Sequence, residues 1–592
     1  MSDKYYLGIL DYLIIVFTLI ISTAIGIKFK SIGKDTGKMR EYFMAGKNMS
    51  MLPVIMSATA TMISPLTTIG IPAEIYKYGI QLWSMSFGVA VGMILAAYVF
   101  VPIYYQSGVC TVYEYLEMRF DKTTRYAIST MFAIQMILWN SSVLYSPVLA
   151  INAVTDLPLE ISILVFGAIC SIYCAIGGLK AVLWTDVFQT FLMFVTAFML
   201  LTAGIIYGGG WDNILDRSKE GGRLNILNFQ EDFTTRYTFW NGFFQGLTYS
   251  VALYGANQTG VQRLLSLSKI GRAKSALLSS APLVFLLCMF SCLHGIALYA
   301  VYFMCDPIMN KKETGLTKYD QIVPYFLISK FHSIPGLTGL SLAGIFSASL
   351  TTVSSVLNSL ATITIIDFVH PIFQSLRRNE NKSLLLAKGL SLAYGAICIC
   401  VAFALTKAKS ISQVGFLCNN TFEGPTLAIF TIGVLTRKGS GKSIVFGLLV
   451  GLSITLWIGF SSLFSGYIEK PLPLSTSMCA ATFNLTHEYA LLGISNLPSP
   501  NTTISSESEI FILNKISYFW VKPIGFVITL CSTCIAIFIS GLKTEVVLSD
   551  LKYLSPVARF WTKDKTIDQH MENENNFKLQ SLPSSERHRT SL

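Results

Sequence analysis

Long apolar segments separated by short polar loops run through most of the chain. Each can supply the roughly 20 residues that a helix needs to cross a bilayer. They lie near residues 7–28, 51–75, 80–105, 126–152, 159–177, 181–208, 238–262, 275–303, 335–369, 386–406, 411–436, 443–465 and 517–541. The pattern predicts an all-α polytopic membrane protein with about 13 transmembrane helices in a domain spanning residues 1–545. Segment 335–369 is too long for one straight span, and we expect it to begin with an external surface helix.

Basic residues give these spans a direction. Lys and Arg concentrate in every second loop, at residues 28–47, 119–125, 263–274, 377–382 and 437–442. In membrane proteins this excess marks the cytoplasmic loops. We therefore predict a multi-pass protein of the plasma membrane, with an extracellular N-terminus and a cytoplasmic C-terminus.

Two polar regions complete this topology. Segment 466–516 is predicted to be an extracellular loop, and its sequons at Asn484 and Asn501 predict N-glycosylation. Residues 546–592 mix both charge signs with Ser and Pro, which predicts a disordered cytoplasmic tail. The final Thr590, Ser591 and Leu592 fit the carboxyl-terminal pattern that PDZ domains bind, although three residues also match by chance.

The composition excludes several classes of protein. Hydrophobic residues make up 52% of the chain, charged residues make up 13%, and the mean hydropathy is +0.56. Soluble domains carry about 25% charged residues, so a soluble multidomain enzyme and a disordered scaffold are excluded. The net charge of +11 reflects the cytoplasmic loops and does not indicate a nucleic-acid partner. None of the twelve cysteines has zinc-site spacing, but Cys305 and Cys479 fall in predicted extracellular loops, where an oxidising medium permits a disulfide.

No motif predicts catalysis or a bound cofactor. The sequence contains no HExxH, GxSxG or Walker A motif, and no loop is long enough for the nucleotide-binding domain of an ATP-driven pump. We expect a protein that is not an enzyme. Two functions remain possible: transport driven by an ion gradient, and conduction through a channel.

Two spans carry residues that interrupt a helix. The second span has Ser64, Pro65 and Gly70 near its middle, and proline removes a backbone donor there. The seventh span, five spans later, contains three glycines and is a candidate for a second break. Transporters bind ions and substrates at such breaks, often within inverted repeats. We predict repeats at 51–208 and 238–436, with one span before them and two after; a simple proline kink relieved by Thr hydroxyls is the alternative.

The ninth span is rich in small hydroxyl residues. Ala348, Thr351 and Thr352 occur at i, i+3 and i+4, so they share one helix face. Neutral oxygens suit a small hard cation such as Na⁺. The same residues also suit close helix packing.

Several motifs carry a resemblance to a known family. They are GGLKAVLWTDVFQ at Gly177–Gln189, YEYLEMRF at Tyr113–Phe120, YGANQ at Tyr254–Gln258, GIPAEIYKYG at Gly70–Gly79, EGPTLAIFTIG at Glu423–Gly433 and CDP at Cys305–Pro307. Together they resemble the sodium/solute symporter family over about residues 8–545. The branch most similar to this chain holds the sodium-coupled monocarboxylate, multivitamin and iodide transporters.

The resemblance implies a leucine-transporter-like five-plus-five inverted repeat, alternating access and a sodium site between the second and ninth spans. The implied ligands are the carbonyls of Ala60, Ile63 and Ala348 and the hydroxyls of Thr351 and Thr352. Thr-Thr replaces the Ser-Ser or Ser-Thr of many relatives but keeps both hydroxyls. Asp186 matches a family position on the sodium exit path; the alternative is a partner for Lys180 or for a nearby Arg.

The substrate is less sharply defined. Met62, Leu66 and Thr67 replace the polar residues of sugar transporters, so a sugar is disfavoured. Depth and aromatic character add Gln135, Trp139, Tyr145, Gln245 and Tyr254 to the predicted pocket, although each also suits packing. We expect Na⁺-coupled symport of a small organic anion, first a monocarboxylate. Biotin or pantothenate, or an iodide-type anion, is the alternative, and a channel, a membrane-embedded enzyme or a non-transporting sensor is more distant.

Overall fold

The computed structural model describes residues 7–29, 38–155, 158–332, 334–406, 411–465, 469–479, 511–540 and 553–560. The predicted glycosylation sites Asn484 and Asn501 and the terminal Thr590, Ser591 and Leu592 lie outside these ranges. Part of the predicted tail is described. Residues 553–560 pack on the helices, where Ser555 donates its N–H to the Val434 carbonyl at 2.9 Å. This piece of 546–592 therefore differs from the disordered tail that we expected.

The described residues form helices joined by loops, without a β-strand among them. The first half contains α1 (Ile9–Lys28), α2 (Lys38–Met44), α3 (Met51–Met62), α4 (Ile71–Tyr78), α5 (Ser84–Val99), α6 (Val101–Ser107), α7 (Val112–Arg119), α8 (Lys122–Val154), α9 (Leu159–Tyr207), α10 (Trp211–Glu220), α11 (Phe239–Gly255), α12 (Gln258–Leu264) and α13 (Ile270–Val301). The second half contains α14 (Lys311–Thr314), α15 (Ile322–Phe331), α16 (Leu337–Ile363), α17 (His370–Ile372), α18 (Gln374–Arg378), α19 (Glu380–Leu405), α20 (Ile411–Leu435), α21 (Gly441–Ser465) and α22 (Val521–Ile539).

The helices support a polytopic membrane protein without settling the number of spans. Within the described ranges, nine helices are long and apolar enough to cross a membrane, and one bent pair adds a tenth. Helix α9 holds two of the predicted spans, because its 49 residues are interrupted at Gly178, with φ 68° and ψ 176°. A straight helix of that length would measure about 70 Å, more than twice the hydrocarbon thickness. The count of 13 stays a prediction.

The segment predicted at 335–369 is arranged differently from our expectation. Helix α16 runs through it without interruption and continues as a π-helix over Thr364–Val369. The short helix α15 precedes the segment instead of forming its beginning. The apolar segment is long because α16 and its π-helical extension are buried on nearly all sides and therefore need no charged, solvent-facing stripe.

Both expected helix breaks are present. Helix α3 stops at Met62, and the chain resumes as a π-helix at Leu66 and as α4, bent by 52° from α3. Helix α11 ends at Gly255, and α12 begins at Gln258 with the side chain of Asn257 as its N-cap. The two breaks place irregular backbone inside the helical bundle.

Glycines bring α5 and α11 into direct backbone contact. A Cβ atom at Gly88 would lie 2.0 Å from the carbonyl oxygen of Phe243, and one at Gly246 would lie 2.1 Å from that of Met85. No side chain larger than hydrogen fits at these two positions. Helix α13 packs against α5 and against both parts of the first broken helix, and α16 packs against α3 and α9.

Candidate functional site

The first helix break removes helical hydrogen bonds from two of the carbonyls predicted to bind sodium. In a continuous helix the Ala60 carbonyl accepts from the Ser64 N–H, but this N–H points to the Thr67 hydroxyl at 3.4 Å. The Ile63 carbonyl likewise loses the Thr67 N–H, which donates to the Ser64 carbonyl at 2.9 Å. Ile63 itself is extended, with φ −100° and ψ 112°. Both carbonyls are thus released from the helical pattern at a buried position.

The remaining predicted sodium ligands share a buried face of α16. Ala348 and Thr351 have no exposed surface, and Thr352 is 7% exposed. Each threonine hydroxyl donates to the Ala348 carbonyl at 3.0 Å. Donation uses the hydroxyl hydrogen and leaves oxygen lone pairs for another ligand. Because α16 packs against α3, the five predicted ligands lie on two adjoining helices.

Asp186 belongs to a buried ion pair. Its carboxylate lies 2.6 Å from a guanidinium nitrogen of Arg263, and both side chains are at most 1% exposed. The Ser57 hydroxyl donates to the same carboxylate at 2.5 Å. The guanidinium also donates to the Ser355 hydroxyl. Lys180, one partner considered from the sequence, lies 3.9 Å from a different carboxylate.

The ion pair adjoins the predicted sodium ligands. Ser57 lies three residues before Ala60 on α3. Ser355 lies one turn after Thr351 on α16 and donates to its carbonyl at 2.5 Å. The pair therefore joins α3, α9, α12 and α16 on one side of the helix break.

A small cavity lies beside the same break. Its volume is about 30 Å³, which is room for about two water molecules. Three predicted pocket residues, Met62, Thr67 and Trp139, line it. Tyr249 and Phe416 also line it but were not predicted. Tyr249 lies one helical turn after the predicted Gln245 of α11, so sequence reasoning identified the helix and its face but not the turn that reaches the cavity.

Five predicted pocket residues do not line this cavity. They are Leu66, Gln135, Tyr145, Gln245 and Tyr254. Leu66 and Tyr145 belong to an apolar core cluster. The two glutamines connect helices, since their amides donate to Asn419 at 2.7 Å and to Asn420 at 2.8 Å. The Tyr254 hydroxyl donates to the Ala58 carbonyl at 2.7 Å.

A second charged cluster lies at α4, which follows the break. Glu74 on α4 lies 2.9 Å from the Arg236 guanidinium and accepts from the Tyr237 hydroxyl at 2.6 Å. The Tyr237 and Tyr518 hydroxyls lie 2.7 Å apart. The Arg236 N–H donates to Glu469 at 2.7 Å; burial raises the pKa of Glu469, while Arg236 opposes the shift. Two buried ion pairs, Asp186–Arg263 and Glu74–Arg236, thus flank the helix break.

A disulfide joins two segments near this second cluster. Cys305 and Cys479 are bonded, with their Cα atoms 5.1 Å apart. The neighbouring backbone is paired as well, since the Asp306 N–H donates to the Ser475 carbonyl at 2.8 Å. The Asp306 carboxylate in turn accepts from the Tyr76 hydroxyl of α4 at 2.7 Å. The bond therefore ties residues 475–479 to the end of α13.

We expect neither Cys305 nor Cys479 to react with a thiol alkylating reagent in intact cells before reduction. Both should become labelled after reduction and denaturation, as mass spectrometry of the digested protein can measure. Cys400 and Cys531 are free and exposed, so they provide a labelling control in the denatured, unreduced sample. Labelling of both cysteines without a reductant would contradict the pairing.

Comparisons with known proteins agree with this arrangement. The profile of the sodium:solute symporter family matches residues 42–451. A Drosophila melanogaster protein assigned as a sodium-dependent multivitamin transporter is 35% identical, over 88% of this chain and 85% of its own. Human sodium-coupled monocarboxylate transporter 1 is 33% identical, also over 88% and 85%. The fold is similar to that of a Na⁺-coupled sialic acid symporter solved in a substrate-bound outward-open state, with a TM-score of 0.72 and 21% identity over 91% of this chain and all of the other.

Proposed function

The chain belongs to the sodium:solute symporter family, and from this premise we propose that it carries a small monocarboxylate together with Na⁺ by alternating access. Na⁺ is the co-transported ion of the family. The proposed sodium ligands are the carbonyls of Ala60, Ile63 and Ala348 and the hydroxyls of Thr351 and Thr352. Their placement on two buried, adjoining helices supports this assignment.

Hydroxyl donors in the wall of the cavity, next to the proposed Na⁺ site, carry the proposal that the substrate is an anion. None of the described residues that line it is charged, and its polar side chains include the hydroxyls of Ser64, Thr67 and Ser86. Hydroxyls can donate to a carboxylate, but a buried anion still needs a counter-charge. Na⁺ at the adjoining helices supplies that charge, so each ion favours the binding of the other.

The lining of the cavity supports a solute with an apolar body. Its walls are mostly aliphatic, aromatic or sulfur-containing side chains. The alternative substrate is a vitamin carboxylate such as biotin or pantothenate, which the multivitamin relative favours by name. An iodide-type anion is a further alternative from the same branch.

The predicted topology and processing form part of the proposal. We place the N-terminus outside, the C-terminus inside and the protein in the plasma membrane, as the loop charges favour. Asn484 and Asn501 would then carry glycans, and Thr590, Ser591 and Leu592 would meet a cytoplasmic PDZ-domain protein. Asp186 is proposed to act on the sodium exit path, because its ion pair lies next to the proposed sodium ligands.

Uptake of a labelled panel tests the substrate. Cells that express the protein receive lactate, butyrate, nicotinate, biotin, pantothenate, iodide or glucose in NaCl or in choline chloride. We expect accumulation of lactate or butyrate above the external concentration in NaCl only. Accumulation of biotin or pantothenate alone would favour the multivitamin alternative. Equilibration without accumulation would contradict symport.

A further inference from the structure

A second cavity adjoins the first and has a different chemistry. Its volume is also about 30 Å³, and Trp139 and Tyr249 line both cavities. Oxygen-bearing side chains dominate this second wall, and they include those of Thr61, Asn257, Thr259, Thr352, Asn419 and Glu423. Of these two cavities, the second has a carboxylate in its described lining, that of Glu423, and the first has none. Neither the substrate nor the sodium ion proposed above uses this group.

The Glu423 carboxylate is buried and only half satisfied. The residue is 3% exposed, midway along α20. Its Oε2 atom accepts from the Asn419 amide at 2.9 Å and from the ammonium group of Lys522. Its Oε1 atom is inaccessible to solvent and has no hydrogen-bond partner. Leaving a buried carboxylate oxygen without a partner is costly, so this atom is suited to receive a cation.

We propose that Glu423 Oε1 anchors a second Na⁺ site in this cavity, completed by its hydroxyl and amide oxygens. The inference rests on the proposed function, because it adds a cation to Na⁺-coupled transport. A hard cation prefers such oxygen ligands. One carboxylate among neutral oxygens suits a monovalent ion. In the described part of the chain, no group of three His, Cys, Asp or Glu residues could hold a metal ion.

Lys522 keeps the empty site neutral. Its side chain is fully buried, and its ammonium group lies 4.4 Å from the centre of the Tyr249 ring. When Na⁺ is absent, the ammonium balances the Glu423 charge. When Na⁺ binds, the carboxylate is shared between two cations, which limits the affinity. A transporter needs this limit, because the ion must also leave.

The two cavities place opposite charges side by side. A carboxylate in the first cavity and Na⁺ in the second would be separated by Trp139 and Tyr249, which line both. Charges attract strongly in a buried environment of low dielectric constant. Binding of the anion should therefore increase the affinity for this Na⁺, and Na⁺ should increase the affinity for the anion.

Binding of ²²Na⁺ to the purified full-length protein in lipid nanodiscs tests the site. The main variant is E423Q/K522M, which removes the carboxylate without leaving a buried ammonium group unpaired. We expect it to bind one Na⁺ fewer than wild type. Thr351 does not line the second cavity, so T351V is the comparison, and it should bind the Na⁺ of the other site about ten- to a hundredfold more weakly. K522M alone should bind the second Na⁺ about tenfold more tightly, and its thermal unfolding temperature should rise more with NaCl than that of wild type.

The outcomes separate the two proposals. If E423Q/K522M binds as many Na⁺ ions as wild type, while T351V weakens the binding of one Na⁺, the Glu423 site is refuted and the proposed symport stands. If wild type binds no Na⁺, both proposals fail. If the double variant does not fold, K522M decides, because an unchanged Na⁺ affinity and unfolding temperature would refute the site.

Discussion

Replacing Thr351 or Thr352 with Val is expected to raise the Na⁺ concentration for half-maximal uptake about ten- to a hundredfold. Each change removes one oxygen from a site with few ligands, and a hydrogen-bond-strength contact to a charge contributes roughly 1.5–3 kcal/mol. Valine keeps the branched shape, so the packing of α16 changes little. Na⁺-activation curves of substrate uptake, normalised to surface protein, measure the effect.

Conservative and distant substitutions provide the controls for this result. Thr→Ser at either position keeps the oxygen and should have a mild effect. Ser341 on the same helix also donates to a backbone carbonyl, that of Leu337 at 3.0 Å, and lies ten residues before Thr351. Ser341→Ala should leave Na⁺ activation unchanged. If Val equals wild type at both threonines, the helix face serves packing alone.

Neutralising Asp186 alone should destabilise the protein by about 3–5 kcal/mol, because it leaves the buried Arg263 without its carboxylate. We expect Asp186→Asn to lower the thermal unfolding temperature and the surface abundance. Asp186→Asn with Arg263→Gln leaves no unpaired charge and should recover most of the stability. If Asp186 also acts on the exit path, the stable double variant will still transport slowly.

A neighbouring pair provides the matched control. Lys180 is 39% exposed and lies 3.9 Å from Glu41, and such exposed pairs contribute about 1 kcal/mol or less. Lys180→Gln should therefore leave the unfolding temperature nearly unchanged. An Asp186→Asn protein as stable as wild type would show that Arg263 finds another partner or water, and would contradict a structural role for the pair.

Local signals in the sequence predicted much of the fold. Apolar length located the long helices, and Pro65 located the first break because proline cannot donate to the helical ladder. Gly178 shows the limit of this reasoning. The two predicted spans on either side of it are separated by this one non-helical residue and not by a loop, so the number of spans does not follow from helix boundaries.

Long-range partners could not be predicted in the same way. Asp186 and Arg263 are 77 residues apart, and Glu423 and Lys522 are 99 residues apart. Helix periodicity shows which face a residue occupies but not which distant helix meets that face. Gln135 is an example, because its amide donates to Asn419 on another helix and does not line the first cavity; its role in the substrate pocket stays a prediction.

The glycine contact between α5 and α11 has a mechanical consequence. With Gly88 and Gly246 leaving almost no space between the two backbones, neither helix can slide or tilt without the other. Ser86 on α5 and Tyr249 on α11 both line the first cavity. When the cavity opens, this wall must therefore move as one rigid body. The backbone must then bend before or after these two helices. Irregular backbone at Ala256 and Asn257 directly follows α11, so the end of α11 is one place where this bending can occur.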